Sequence, residues 1–206
     1  MITLYSMPTS GNSYKVRLLL AKLDLPFRHV AIEHGNPLMG SAEFRAMSPM
    51  GRLPVLELED GRAISESNAI LLFLGEGTRF VPEGRYERAK AHQWMFFEQN
   101  YHETSVAVRT AVLTYEDRAH RRTPDVLGPL LESGNRALGA MEARLERSPF
   151  LAGEAISVAD LCLYGYTHSA GGKGGFDMAR FPAVNNWLAR VAADRGHVPL
   201  EWLPRA

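Results

Sequence analysis

The chain has 206 residues, 46% of them hydrophobic, which is enough apolar material for packed cores in one large domain or two small ones. Its 23 Lys and Arg balance 23 Asp and Glu, and they balance locally too, with 8 of each sign in residues 1–80 and 15 of each in residues 81–206. Without a basic arm the chain is poorly suited to nucleic acid or an anionic membrane surface; a small, roughly neutral partner fits better. The single cysteine, Cys162, excludes an internal disulfide framework, a zinc ribbon and an intramolecular CxxC pair, so any dithiol chemistry has to take its thiol from elsewhere. No basic segment precedes an apolar one at the N-terminus, and the longest apolar stretch, Ala69 to Leu74, is too short to span a bilayer; a cytoplasmic protein is expected.

In chain order, Ile2 to Tyr5 has a short β-favouring pattern. A turn follows from Pro8 to Asn12, and then Val16, Leu19, Leu20 and Leu23 recur at helical spacing. Pro26 stops that helix and Phe27 to Ile32 reads as a second strand, so the three elements form a βαβ unit with parallel strands. After a polar connection from Glu33 to Gly51, Val55 to Glu59 alternates, Asp60-Gly61 is a hairpin signal and Arg62 to Ile64 returns antiparallel. Ser65-Glu66-Ser67-Asn68 offers N-capping side chains ahead of a buried helix over Ala69 to Leu74.

Three Gly and a Pro between Gly75 and Arg85 mark a linker, after which the pattern changes. Tyr86 to Tyr115 reads as one long, bendable helix, and Leu127, Leu130, Leu131, Leu138, Met141 and Leu145 lie on the stripe of a second, antiparallel one. Ser157-Val158-Ala159-Asp160 has the form of a capping box, and Pro182 opens a further helix that Gly196 stops. Cys162, inside an apolar run, reads as a small buried hydrophobe. The Gly171-Gly172 and Gly174-Gly175 pairs around Lys173 read as a flexible connection, since no strand precedes them. The seven His show no metal-binding spacing. The architecture expected is an α/β domain over residues 1–75, a linker over 76–85 and an all-α domain over 86–206.

Three segments carry a family resemblance. Leu4-Tyr5-Ser6-Met7-Pro8-Thr9-Ser10-Gly11-Asn12-Ser13-Tyr14-Lys15-Val16-Arg17, Ser48-Pro49-Met50-Gly51-Arg52-Leu53-Pro54-Val55-Leu56 and Glu66-Ser67-Asn68-Ala69-Ile70 resemble the N-terminal domain of cytosolic glutathione transferases, especially bacterial ones. In the helical half, Phe150-Leu151-Ala152-Gly153 followed by Ser157 to Asp160 is similar to the family's capping-box segment. The resemblance implies a thioredoxin-like domain that binds glutathione as co-substrate and a helical domain that helps hold an apolar electrophile, usually in a homodimer.

The chemistry so implied is attack by a thiolate. A free thiol with a pKa of roughly 8.5 is a few per cent ionised near pH 7, and donors beside the sulfur raise that fraction. Ser10 matches the catalytic serine of theta-like and zeta-like classes, and Asn12 falls where bacterial relatives place a sulfur-contacting group. Both are also ordinary turn residues. Tyr5 is the rival, because other classes use a tyrosine at the end of the first strand, although it also suits a core position. Leu53-Pro54 matches the family's cis-proline step, although X–Pro bonds are usually trans; Leu53 would then bind the cysteinyl backbone through its own main chain. Ser67 and Glu66 match the positions that meet the γ-glutamyl carboxylate and ammonium, with plain helix capping as the other reading. For Arg52 the resemblance points to the glycyl end, with a plain surface position as the other reading. For the acceptor the resemblance points to the first helix of the second domain, where Tyr101, His102, Glu103 and Arg109 are candidates. A glutathione-dependent disulfide or peroxide reductase, or a non-catalytic binding module, fits the same fold.

Overall fold

The structure is a computed structural model of the chain and describes residues 1–204. It divides into two compact units, Met1–Thr78 together with residues 194–204, and Arg79–Ala193.

In the first unit the order is β1 (Thr3–Ser6), α1 (Gly11–Lys22), β2 (Arg28–Ala31), a 3-10 turn (Pro37–Gly40), α2 (Ala42–Met47), β3 (Val55–Glu57), β4 (Ala63–Ser65) and α3 (Ser67–Gly75). The sheet runs β2-β1-β3-β4, with β1 parallel to β2 and the other two pairings antiparallel, as the βαβ-then-hairpin reading predicts. The pleat sorts side chains by alternation. Leu4 and Leu56, in register, pack with Val16 and Leu20 of α1 and Ile70 of α3, while Val55 packs on the opposite side with Ile32 and Phe44 of α2. Leu4 and Leu56 are fully buried; removing either would leave a cavity costing about 2–5 kcal/mol.

The second unit holds α4 (Arg85–Phe97), a π-helical segment (Glu98–Ala107), α5 (Val108–Thr114), a 3-10 turn (Glu116–Arg121), α6 (Pro124–Leu145), α7 (Val158–Thr167), a 3-10 turn (Met178–Arg180) and α8 (Pro182–Ala193). The single long helix expected from Tyr86 to Tyr115 is thus one helical path with a π-wound middle. Side chains there compete for the main-chain acceptors: Asn100 Nδ2 donates to Phe96 O, Thr104 Oγ1 to Asn100 O and Ser105 Oγ to Tyr101 O. Helix α7 is almost wholly buried, and at its start Asp160 reaches back to the Ser157 N–H at 2.8 Å, forming the capping box.

Two expectations differ from the structure. The stretch from Asp194 belongs with the sheet unit, not with the helices, because α1 offers it donors: Tyr14 Oη bonds Val198 O at 2.7 Å and Lys22 pairs with Asp194 at 2.7 Å. Residues 205 and 206 of the expected helical domain lie outside the described residues. The glycine-rich stretch around Lys173 is no loose connection either, since Gly174 is buried and its carbonyl accepts from Arg109 Nε at 2.8 Å.

Candidate active site

The first loop runs from the end of β1 to the start of α1. Ser10 is the N-cap of α1, in extended conformation, and its Oγ accepts from the Ser13 N–H at 3.3 Å. That bond uses a lone pair and leaves the hydroxyl proton to be donated elsewhere. Ser13 Oγ in turn accepts from the Met7 N–H at 3.0 Å, so the loop is closed on itself. Two residues past the cap, Asn12 Oδ1 accepts from Ser67 Oγ at 3.1 Å, which ties the first turn of α1 to the first turn of α3. Fully buried Lys15 reinforces the same junction, with Nζ donating to Asn68 Oδ1 at 3.0 Å.

Behind the loop sits a second buried cation. Arg17 Nη1 donates to Ser6 Oγ (3.1 Å) and Met7 O (3.2 Å), and Nη2 donates to Pro8 O (2.8 Å). Burial lowers its pKa to about 10, so it stays charged at neutral pH. Ser6 Oγ, which accepts from Arg17, also lies in hydrogen-bond contact with His29 Nε2, 2.6 Å away. Burial and then the Arg17 charge hold the His29 pKa below its usual 6.5.

A second wall comes from the segment before β3. Ser48 Oγ donates to Arg52 O and accepts the Arg52 N–H, both at 2.9 Å, which turns the chain sharply. Gly51 takes φ +60, and a Cβ there would meet Met39 O, so no other residue fits this turn. The Leu53–Pro54 peptide is cis. The third wall is the start of α3, where Glu66 holds φ 68 in the N-cap position and no side chain caps the helix. The capping expected of residues 65–68 is therefore not formed: Ser67 turns its hydroxyl to Asn12 instead. A helix end of this kind, with its N–H groups and partial positive charge, favours an anion.

Comparison with known proteins fits this geometry. The glutathione S-transferase N-terminal domain family matches residues 4–78, and the corresponding C-terminal domain family matches residues 115–190. The chain belongs to the glutathione transferase family. Among solved structures it is similar to a glutathione S-transferase from Pseudomonas fluorescens Pf-5, with TM-score 0.91 and 42% identity over 97% of this chain and 98% of that one. A possible glutathione S-transferase from Rhodopseudomonas palustris matches with TM-score 0.94 and 42% identity, over 100% and 92% of the two chains. The disulfide-bond oxidoreductase YfcG of Escherichia coli is 31% identical over 93% of this chain and 90% of its own length. The sheet unit is thus the thioredoxin-like domain of the glutathione transferase family and the second unit the family's helical domain.

Within this glutathione transferase fold the other candidate residues have definite places. Tyr5 donates its hydroxyl to Glu57 Oε2 at 2.8 Å, and that bond, with burial, raises its pKa above 10. A phenol held this way serves the sheet, packed edge-on against Phe44, and is badly poised to give its proton to a thiolate. Arg52 has an exposed side chain. Of the acceptor candidates, His102 is fully buried and its Nε2 lies 2.9 Å from Thr167 Oγ1. Glu103 accepts from Gln99 at 2.8 Å. Arg109 clamps Gly174 O and Leu127 O at 2.8 and 2.7 Å. Only Tyr101 of the four presents an exposed ring, in a shallow groove of about 580 Å³ shared with Phe96 and Phe97. Sequence reasoning passed over Lys15 and Arg17. The signal was there, as two cations among the apolar residues Val16, Leu18, Leu19 and Leu20, on a helix whose first half is buried all round.

Among the described residues no cluster of three or more His, Cys, Asp or Glu could hold a metal, and no helix is long and apolar enough to cross a membrane.

Proposed function

We propose that the protein is a glutathione S-transferase in which the first loop activates the glutathione thiol for attack on a hydrophobic electrophile. The observation that carries this reading is the Asn12–Ser67 hydrogen bond, which draws the thiol-side and γ-glutamyl-side residues together in one unit. Ser10 supplies a hydroxyl proton and Asn12 the amide end of its side chain as donors to sulfur. Each favours the thiolate over the thiol, and a shift of one pKa unit corresponds to about 1.4 kcal/mol. The main chain of Leu53 pairs with the cysteinyl backbone, and the N-terminus of α3 at Ser67 takes the γ-glutamyl carboxylate while Glu66 takes the ammonium. Arg52 is free to meet the glycyl end, and Tyr101 is the acceptor-side residue that remains available. A cytoplasmic homodimer goes with this reading.

A second reading is favoured by the similarity to YfcG, a disulfide-bond oxidoreductase. The chain's own Cys162 is fully buried, so both thiols would come from glutathione. One thiolate attacks a disulfide sulfur and expels a thiol; a second attacks the mixed disulfide and leaves oxidised glutathione and the other thiol.

Conjugation of a chromogenic aryl halide and reduction of hydroxyethyl disulfide should be compared in wild type, Ser10→Ala and Asn12→Ala. The transferase reading expects conjugation, with kcat/KM falling roughly tenfold in at least one variant. Disulfide turnover alone would select the second reading. Rates unchanged in both variants would remove these residues from the sulfur site.

A further inference from the structure

Nothing regular holds the first loop: residues 7–10 lie between β1 and α1 in neither strand nor helix. Its carbonyls are instead gathered by one guanidinium. Arg17 takes Ser6 Oγ, Met7 O and Pro8 O, and its fourth bond, Nη2 to Leu200 O at 2.8 Å, spans 183 positions of chain. All four partners are neutral oxygens. Nε of this fully buried cation already lacks a partner, so giving up one of the four oxygens would leave a further charged donor unsatisfied, and loop and distant segment are held together.

The distant segment is itself laced along α1. Lys22 Nζ binds Asp194 Oδ2 (2.7 Å) and Asp194 O (3.1 Å), Tyr14 Oη binds Val198 O (2.7 Å), and the Trp202 ring lies 6.3 Å from Phe27. Gly196, at φ +77, passes so close to α1 that a Cβ would stand 2.7 Å from Lys22 Cα. Leu200 is 8% exposed. Residues 14, 17 and 22 lie on adjoining turns of the helix, so the segment runs along one side of it.

We infer that residues 194–204 act as a strap that sets the geometry of the thiol-activating loop through Arg17, which is thereby a positioning residue for catalysis. The functional half of this inference rests on the glutathione reading above; the mechanical half does not. With the strap withdrawn, Arg17 turns toward water, Met7 O and Pro8 O lose their shared donor, and the loop that presents Ser10 and Asn12 samples other arrangements.

Three variants test this. Arg17→Lys keeps the charge and removes the fork, a truncation after Pro199 removes the Leu200 carbonyl but keeps the Lys22 and Tyr14 contacts, and Tyr14→Phe is a milder change that deletes one strap bond. Amide hydrogen exchange without glutathione should quicken about tenfold across residues 10–14 in the first two and less in the third. With glutathione bound, the thiol pKa should rise by about one unit, while affinity for S-methylglutathione, whose sulfur cannot ionise, stays within about twofold. A role confined to stability lowers Tm and leaves the thiol pKa alone. Folded variants with unchanged loop exchange and unchanged thiol pKa would overturn the inference. Faster loop exchange in a protein whose wild type binds no glutathione would retain the mechanical coupling and reject the glutathione reading instead.

Discussion

His29 shows how a single side chain reports on the site. Burial and then the Arg17 charge disfavour its cationic form, and protonating it would set two cations about the same Ser6 hydroxyl. Its folded pKa is depressed, so in the window below 6.5 the unfolded chain binds the proton more readily than the folded one. Stability is therefore full above that pH and falls as the pH drops through it. Thermal melts between pH 7.5 and about 5 should show this slope, and His29→Gln should flatten it. Equal slopes in the two proteins would mean that His29 is not the group responsible. At this scale the sequence was legible where a side chain's role follows from its backbone position. Ser10 lies in the turn ahead of α1 that turn chemistry marks, while the cis form of Leu53–Pro54 was legible through the family resemblance alone, since X–Pro bonds are usually trans. It was illegible where the role depends on a distant partner: nothing local says that Tyr5 will find Glu57, that Ser67 will bond Asn12 instead of capping α3, or that Arg109 will reach Gly174.

At the scale of elements, the caps decide more than the propensities. Helix α8 has its first N–H groups bonded by Glu142 of α6, at 2.8 and 2.9 Å, a cap delivered from 41 residues away. Asp160 does more still. Its carboxylate accepts from Leu151 N–H, Ser157 N–H, Ser157 Oγ and Trp187 Nε1, joining the loop before α7 to α7 and α8. Burial pushes its pKa up against the pull of those donors. Asp160→Asn puts an amide NH2 where donors converge, and should lower stability on the order of 3 kcal/mol, read as a fall in Tm of several degrees without change in the far-UV circular dichroism at low temperature. A melt within a degree of wild type would show that the cluster contributes little. The strands and helices themselves were readable from period and punctuation, because β-favouring runs, the alternation of Val55 to Glu59 and nearby Gly or Pro mark the strands. The π-wound stretch from Glu98 to Ala107 was not, since the side-chain bonds to Phe96, Asn100 and Tyr101 carbonyls leave the apolar spacing of a plain helix intact.

For the whole molecule, the composition sets the terms. The chain's one cysteine is buried and its charges balance. In the proposed reading, the loop, the cis-proline segment and the start of α3 in the sheet unit gather donors for a small anionic thiol. The division into a sheet unit and a helical unit was legible from the change of period near residue 80. The return of residues 194–204 to the first unit was not, because several of its anchors, at Asp194, Val198 and Leu200, are main-chain carbonyls, which no side-chain pattern announces. Glutathione binding at about ten times its Kd should raise the stability of the folded protein by about 1.4 kcal/mol, a gain visible as a concentration-dependent Tm, and heat of binding should appear by calorimetry at millimolar glutathione. No heat and no shift would reject glutathione as the ligand.

The central claim, that the first loop stabilises a thiolate, is tested most directly by titrating the thiol of bound glutathione through the ultraviolet absorbance of the thiolate. The account predicts a pKa about one to two units below the free value of roughly 8.5, moved back toward it by Ser10→Ala or Asn12→Ala. A bound thiol that titrates like free glutathione would contradict it.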